Sequence, residues 1–198
     1  SEPGNFPTDL YVLQGLAELL GGSIELRLVE REGLHEALDE RVALLLLTHV
    51  HYKTGRVHDM RSLTRRAHEV GALTLWDLSH SAGALELALD RDGADLAVGC
   101  GYKYLNGGPG APAFLFVARA LHAQLRSPLS GWMGHARPFD FTDEYAPAEG
   151  VRRTLCGTPA VLGLTALDAA LDAFDGVTLA ALREKSKRLG ALFVELVE

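Results

Sequence analysis

Val42-Ala43-Leu44-Leu45-Leu46-Leu47-Thr48, then Asp59 to Val70, then Ala72-Leu73-Thr74-Leu75-Trp76-Asp77: these consecutive stretches decide the fold. The first is apolar almost throughout, as a strand covered on both faces is. The second sets Leu63 and Ala67 inward and Arg65 and Arg66 outward, an amphipathic helix that Gly71 ends. The third reads as a strand again. Strand, helix, strand predicts a parallel crossover unit. Working outward, Ala94 to Val98 and Ala113 to Val117 read as further strands, Leu34 to Glu40 as a short helix and Ala118 to Leu125 as helical. Thr8 is placed to cap a helix from about Asp9 to Leu20, which Gly21-Gly22 stops. Ile24, Leu26 and Leu28 alternate with polar residues, the pattern of a half-buried strand. Ser127 to Gly157 is a long Gly/Pro-rich aromatic stretch, and two helices come after it, Ala160 to Phe174 and from Thr178 onward. The expected class is α/β, a three-layer αβα sandwich with a mainly parallel sheet.

Composition bounds the function. The 198 residues are 47% hydrophobic and 23% charged, ordinary for a globular protein and against wholesale disorder. A net charge of −7 argues against a general electrostatic grip on nucleic acid or anionic membrane. No apolar run reaches the ~20 residues that cross a bilayer. Cys100 and Cys156 lie far apart without metal-ligand spacing, so a disulfide framework or zinc finger is not expected and a cytoplasmic setting is. Ser1 opens a Gly/Pro loop without an initiator Met or a signal peptide. Leu192 to Val197 is helix-like with no stop signal after it, and the chain reads as an internal piece of something longer.

Ligands of parallel sheets bind beyond the carboxyl ends of the strands. Thr48 follows Leu47; Asp77 and His80 follow Trp76; Cys100, Tyr102 and Lys103 follow Val98. An Asp at one strand end and a Lys after the neighbouring strand suit pyridoxal phosphate. The amine forms a Schiff base with the cofactor aldehyde. The carboxylate keeps the pyridine nitrogen protonated, in a charge-assisted hydrogen bond. Gly101, Gly107, Gly108 and Gly110 allow positive φ and close approach of the main chain to a ligand.

The run Gly99 to Pro112, containing Tyr102-Lys103-Tyr104-Leu105-Asn106-Gly107-Gly108-Pro109-Gly110, resembles kynureninase. So do Trp76 to Gly83 and Asn5-Phe6-Pro7-Thr8-Asp9. Kynureninases are pyridoxal-phosphate enzymes of fold type I, with the aspartate-aminotransferase-like architecture. The resemblance implies a pyridoxal-phosphate transferase-like large domain over residues 1–174, with 175–198 leading toward a small domain. It implies Lys103 as Schiff-base lysine and proton shuttle, Asp77 on the pyridine nitrogen with His80 beside it, and Phe6 stacked on the ring. Asp9 and Thr48 would help place the cofactor. Tyr102 would hold the phosphate and act as an acid/base candidate. Trp132 and Thr158 would reach the phosphate of the neighbouring subunit, so the site would be shared across a homodimer. The implied reaction is hydrolysis of L-kynurenine, or 3-hydroxykynurenine, to anthranilate, or its 3-hydroxy form, and L-alanine in tryptophan degradation. Further phosphate contacts and a substrate-binding arginine would come from segments beyond Ser1 and Glu198.

Other readings compete. A cysteine desulfurase-like lyase wants a catalytic Cys on a mobile loop and a His immediately before the lysine, where Tyr102 stands. A non-catalytic piece that folds or dimerises without turnover is the bland alternative. Thr158 before Pro159 reads first as a helix N-cap, which is compatible with holding an anion. His49, His51 and His58 lack the carboxylate or Cys company of a metal site and read as surface or cofactor-adjacent. Cys100 reads as a small buried residue. Gly107-Gly108-Pro109-Gly110 lacks the Gly-Lys-Ser/Thr of a P-loop.

Overall fold

The computed structural model describes residues 1–198. The strands are β1 (Leu44–Thr48), β2 (Leu73–Asp77), β3 (Leu96–Cys100) and β4 (Ala113–Val117). The helices are α1 (Pro7–Leu19), α2 (Leu34–Ala37), α3 (Met60–Glu69), α4 (Leu89–Asp92), α5 (Val161–Leu171) and α6 (Leu179–Val197). The sheet runs β1-β2-β3-β4; β1, β2 and β3 are mutually parallel and β4 returns antiparallel. The α/β class with a mainly parallel sheet is as expected. No helix is long and apolar enough to cross a membrane.

Strand alternation sorts the side chains. Leu45 and Leu47 of β1, Trp76 of β2 and Ala97 of β3 share one core with Leu63 and Ala67 of α3 and Leu34 and Leu38 at α2. Trp76 is fully buried, and its indole N–H donates to Thr64 Oγ1 at 3.2 Å. Asp95 ties the far end of the sheet: its Oδ2 accepts from the Thr74 amide and hydroxyl and from His68. The same alternation sends Thr48 and Asp77, paired in register, to the opposite face at the carboxyl edge.

Four local expectations fail for identifiable reasons. Residues 24–28 form no strand. That segment bonds to the chain start instead: the Ser1 ammonium donates to the Arg27 carbonyl and the Val29 amide to the Ser1 carbonyl. Helix α1 begins at Pro7, without a Thr8 cap, because proline needs no amide partner in the first turn. Thr158 is exposed and caps nothing; α5 starts at Val161 after Ala160. Ala118 to Leu125 yields one 3-10 turn, Arg119–Leu121, after which His122 folds back to donate to the Val117 carbonyl at 3.0 Å.

The histidines after β1 are buried rather than superficial. His49, His51 and His58 are 5%, 8% and 4% exposed, which makes them part of the interior. His58 Nε2 sits 2.7 Å from Glu2 Oε1, with both side chains buried. Burial alone would push the Glu2 carboxyl up; the His58 hydrogen bond and charge overcome it and hold the group below its ordinary value.

Two outcomes are expected. The Asp59 side chain accepts from the Ser62 amide at 2.9 Å and caps α3, so Asp59→Ala costs about 0.5–2 kcal/mol in urea unfolding. A carboxyl depressed on folding contributes stability above its unfolded pKa and loses it as pH falls through the folded one. Stability is therefore expected to drop as pH falls below 4.5, and Glu2→Gln to flatten that part of the acid limb in denaturation measured across pH.

Candidate active site

The carboxyl edge of the sheet collects the site. Thr48 and Asp77 stand side by side at the ends of β1 and β2. Asn5, 1% exposed, locks the segment before α1 onto them. Its Oδ1 accepts from the Thr48 amide at 2.7 Å, and its Nδ2 donates to Asp9 Oδ2 at 2.8 Å. The Thr48 hydroxyl donates to the same Asp9 oxygen at 3.2 Å. Asp77 Oδ1 accepts from the Ser79 amide at 2.9 Å and so orients the carboxylate, with its second oxygen left for a ligand. Burial, and then the charge of Asp77, push the Asp9 carboxyl up; the Asn5 and Thr48 hydrogen bonds and the Lys103 charge pull it part of the way back.

Lys103 enters from the loop after β3. Its Nζ is 3.1 Å from His80 Nε2, and 5.6 Å from the ring centroids of Phe6 and Tyr102. Burial, and then the Lys103 charge, hold the His80 imidazole below its ordinary value against the pull of Asp77, which favours the neutral ring. Its Nδ1 is buried and unpartnered. The loop carrying Lys103 is closed by the Gly101 amide on the Pro112 carbonyl at 3.0 Å. Gly108 and Gly110 do adopt positive φ. Gly101 and Gly107 serve differently from the expectation, because main chain approaches main chain there rather than a ligand. A Cβ on Gly101 would stand 2.7 Å from the Pro112 carbonyl oxygen. Gly83 is equally constrained, with φ +85° and the Tyr104 carbonyl pressed against it, which fixes the Asp77–Gly83 loop against the lysine loop.

Phe6, Asp9, Thr48, Asp77, His80 and Lys103 are thus gathered, with the half-exposed Tyr102 at their margin. Trp132 and Thr158 are not. Trp132 packs with Phe139 and Phe141 in an exposed aromatic group, and Thr158 is exposed. Sequence reasoning does not single out Asn5 or Tyr52; an amide one residue before an expected ring-stacking Phe is the only signal for Asn5. A partly buried amine, an oriented carboxylate, an aromatic face and a phenol form a donor set that fits pyridoxal phosphate, and the orphaned His80 Nδ1 leaves a further polar atom without a partner inside the chain.

Known proteins resemble the chain in sequence and in fold. The chain is 55% identical over 198 residues to a kynureninase of Deinococcus radiodurans and 50% identical over 199 residues to one of Pseudomonas fluorescens. Each match covers 100% of this chain and 48% of the relative, so the chain spans about half the length of the curated relatives it matches. The apo structure of a cysteine desulfurase from Thermococcus onnurineus NA1 superposes with a TM-score of 0.82 at 24% identity, over 98% of this chain and 49% of that one, and shows the fold alone. The family model for class-V aminotransferases matches residues 22–198, the stretch that holds the sheet, Asp77 and Lys103, and the chain belongs to that family.

Proposed function

We propose that this protein is a kynureninase, a pyridoxal-phosphate enzyme that hydrolyses the Cβ–Cγ bond of L-kynurenine or 3-hydroxykynurenine. The products are anthranilate or 3-hydroxyanthranilate, and L-alanine, as in tryptophan degradation. One observation carries the reading: the Lys103 amine and the oriented Asp77 carboxylate belong to one sheet edge, where His80 and Asp9 feel both charges, in a chain half-identical to kynureninases.

Lys103, Asp77, Phe6, Tyr102 and Thr48 are the residues that would hold the cofactor, with Asp9 and His80 behind them. When bound, pyridoxal phosphate supplies an electron sink for the negative charge left at the substrate Cα. Lys103 is the base that takes and returns the proton at that carbon. Neutral His80 accepts a hydrogen bond from its Nζ and keeps it aimed. Asp77 would hold positive charge at the ring nitrogen. Tyr102 would supply or take a proton at the reacting carbonyl or hold the phosphate.

In the same reading the protein is a cytoplasmic homodimer, and Trp132 and Thr158 complete a partner's site. Support comes from the exposed Phe139 and Phe141 beside Trp132, at 74% and 73%, and from two free cysteines. Residues 1–174 form the cofactor-bearing unit; α6, with no buried residue, leads out of it toward a small domain. The desulfurase likeness does not extend to the site, because Tyr102 precedes the lysine.

Supplied with pyridoxal phosphate and L-kynurenine, the protein is expected to release anthranilate, read by its fluorescence. Lys103→Ala is expected to lower the rate by at least about 10²–10⁴-fold. Release of sulfur from L-cysteine with no anthranilate from kynurenine would overturn the reading.

A further inference from the structure

Tyr52 lies on the loop that leaves β1, four residues beyond Thr48 and at the same edge of the sheet. Its ring is edge-on to Phe6, with centroids 5.3 Å apart and planes at 78°. It is near-parallel to two imidazoles: His51 at 5.8 Å and 16°, His80 at 6.5 Å and 24°. The His51 imidazole is fixed. His51 is 8% exposed, and its Nδ1 accepts from the Lys53 and Thr54 amides at 3.3 and 3.4 Å. The His80 imidazole is held at one nitrogen only. It makes one hydrogen bond, to Lys103 Nζ at 3.1 Å, and its Nδ1 is buried with no partner. The Lys103 ammonium has only protons to offer, so Nε2 accepts and Nδ1 carries the ring proton. A rotation of the imidazole would take the acceptor away from the lysine, and no bond at Nδ1 resists it. The near-parallel ring of Tyr52 is the aromatic neighbour that stands against such a rotation.

We propose that Tyr52 is a positioning residue of this site, holding the His80 imidazole toward Lys103 and bracing the Phe6 ring from its edge. The inference deepens the proposed function and rests on it for its catalytic meaning. The groups that face His80 are Lys103 from the loop after β3, Asp77 from the end of β2 and Tyr52 from the loop after β1. Removing the Tyr52 ring opens the imidazole to water, which relieves the burial that disfavours its charged form. A phenylalanine keeps the ring and the stack.

The test is a histidine titration by nitrogen–proton NMR on this chain without cofactor, in unmodified, Tyr52→Phe and Tyr52→Leu forms, with thermal unfolding alongside. Tyr52→Leu is expected to move the His80 midpoint up toward the ordinary imidazole value and to mix its tautomers. Tyr52→Phe is expected to leave both as they are. An unmoved His80 in Tyr52→Leu, or an equal movement in Tyr52→Phe, overturns the proposal. A nuclear Overhauser contact between the Tyr52 and His80 rings in the unmodified chain is expected as well. Its absence overturns the proposal even where the leucine variant does not fold. Visible absorbance after adding pyridoxal phosphate to the unmodified chain separates the two claims. A His80 response with no lysine-bound cofactor means that the cofactor reading fails while the Tyr52–His80 relation stands.

Discussion

A strand that ends at a ligand site leaves its last polar groups to be satisfied by something other than its neighbours. At Thr48 that something is Asn5. The buried amide accepts the Thr48 N–H on its oxygen and donates a hydrogen bond to Asp9 from its nitrogen. The first of these bonds spans 43 residues of chain, and together they dock the start of α1 against the sheet. Phe6 and Asp9 are flanking residues of that dock, so both arrive at the edge where Asp77 and Lys103 stand. Without Asn5, Thr48 would keep a buried, unpaired N–H, and the aromatic face of the site would lose its anchor.

The site is a balance of few charges in partial burial. Two carboxylates, Asp9 and Asp77, lie close enough for one to raise the other, and one ammonium, Lys103, offsets them. Burial and the Lys103 charge favour the neutral form of His80 against the pull of Asp77, and a neutral ring can accept from the amine at Nε2. A neutral acceptor orients the lysine without neutralising it, whereas a carboxylate there would hold the amine in its charged form. The arrangement leaves one carboxylate oxygen of Asp77 unclaimed and the lysine held by one bond, as a site must that hands both groups to a ligand.

The sheet was legible because Leu44 to Leu47 and Leu73 to Trp76 carry their own pattern, and Leu63 and Ala67 supply the covering helix between them. Strand ends then pointed to Asp77, His80 and Lys103, whose position follows from topology alone. Ile24 to Leu28 misled because alternation states what a strand could bury, not whether an edge is available; here the chain start took the backbone bonds. Thr8 and Thr158 misled because a capping residue type says little when proline or a later turn sets the helix start. Tyr52 and Asn5 act through contacts made only after folding; Asn5 is marked only by its place before Phe6, and nothing local marks Tyr52. Trp132 and Thr158 came from resemblance; in this chain Trp132 packs with Phe139 and Phe141, and Thr158 is exposed.

In the proposed function this sheet edge builds a pyridoxal-phosphate site on Lys103. The most direct measurement is borohydride reduction of the protein with pyridoxal phosphate, then peptide mass mapping. A pyridoxyl mass is predicted on the peptide that contains Lys103, with its loss there in Lys103→Ala. A label confined to other lysines such as Lys53, Lys185 or Lys187, or no label at all, would contradict the claim.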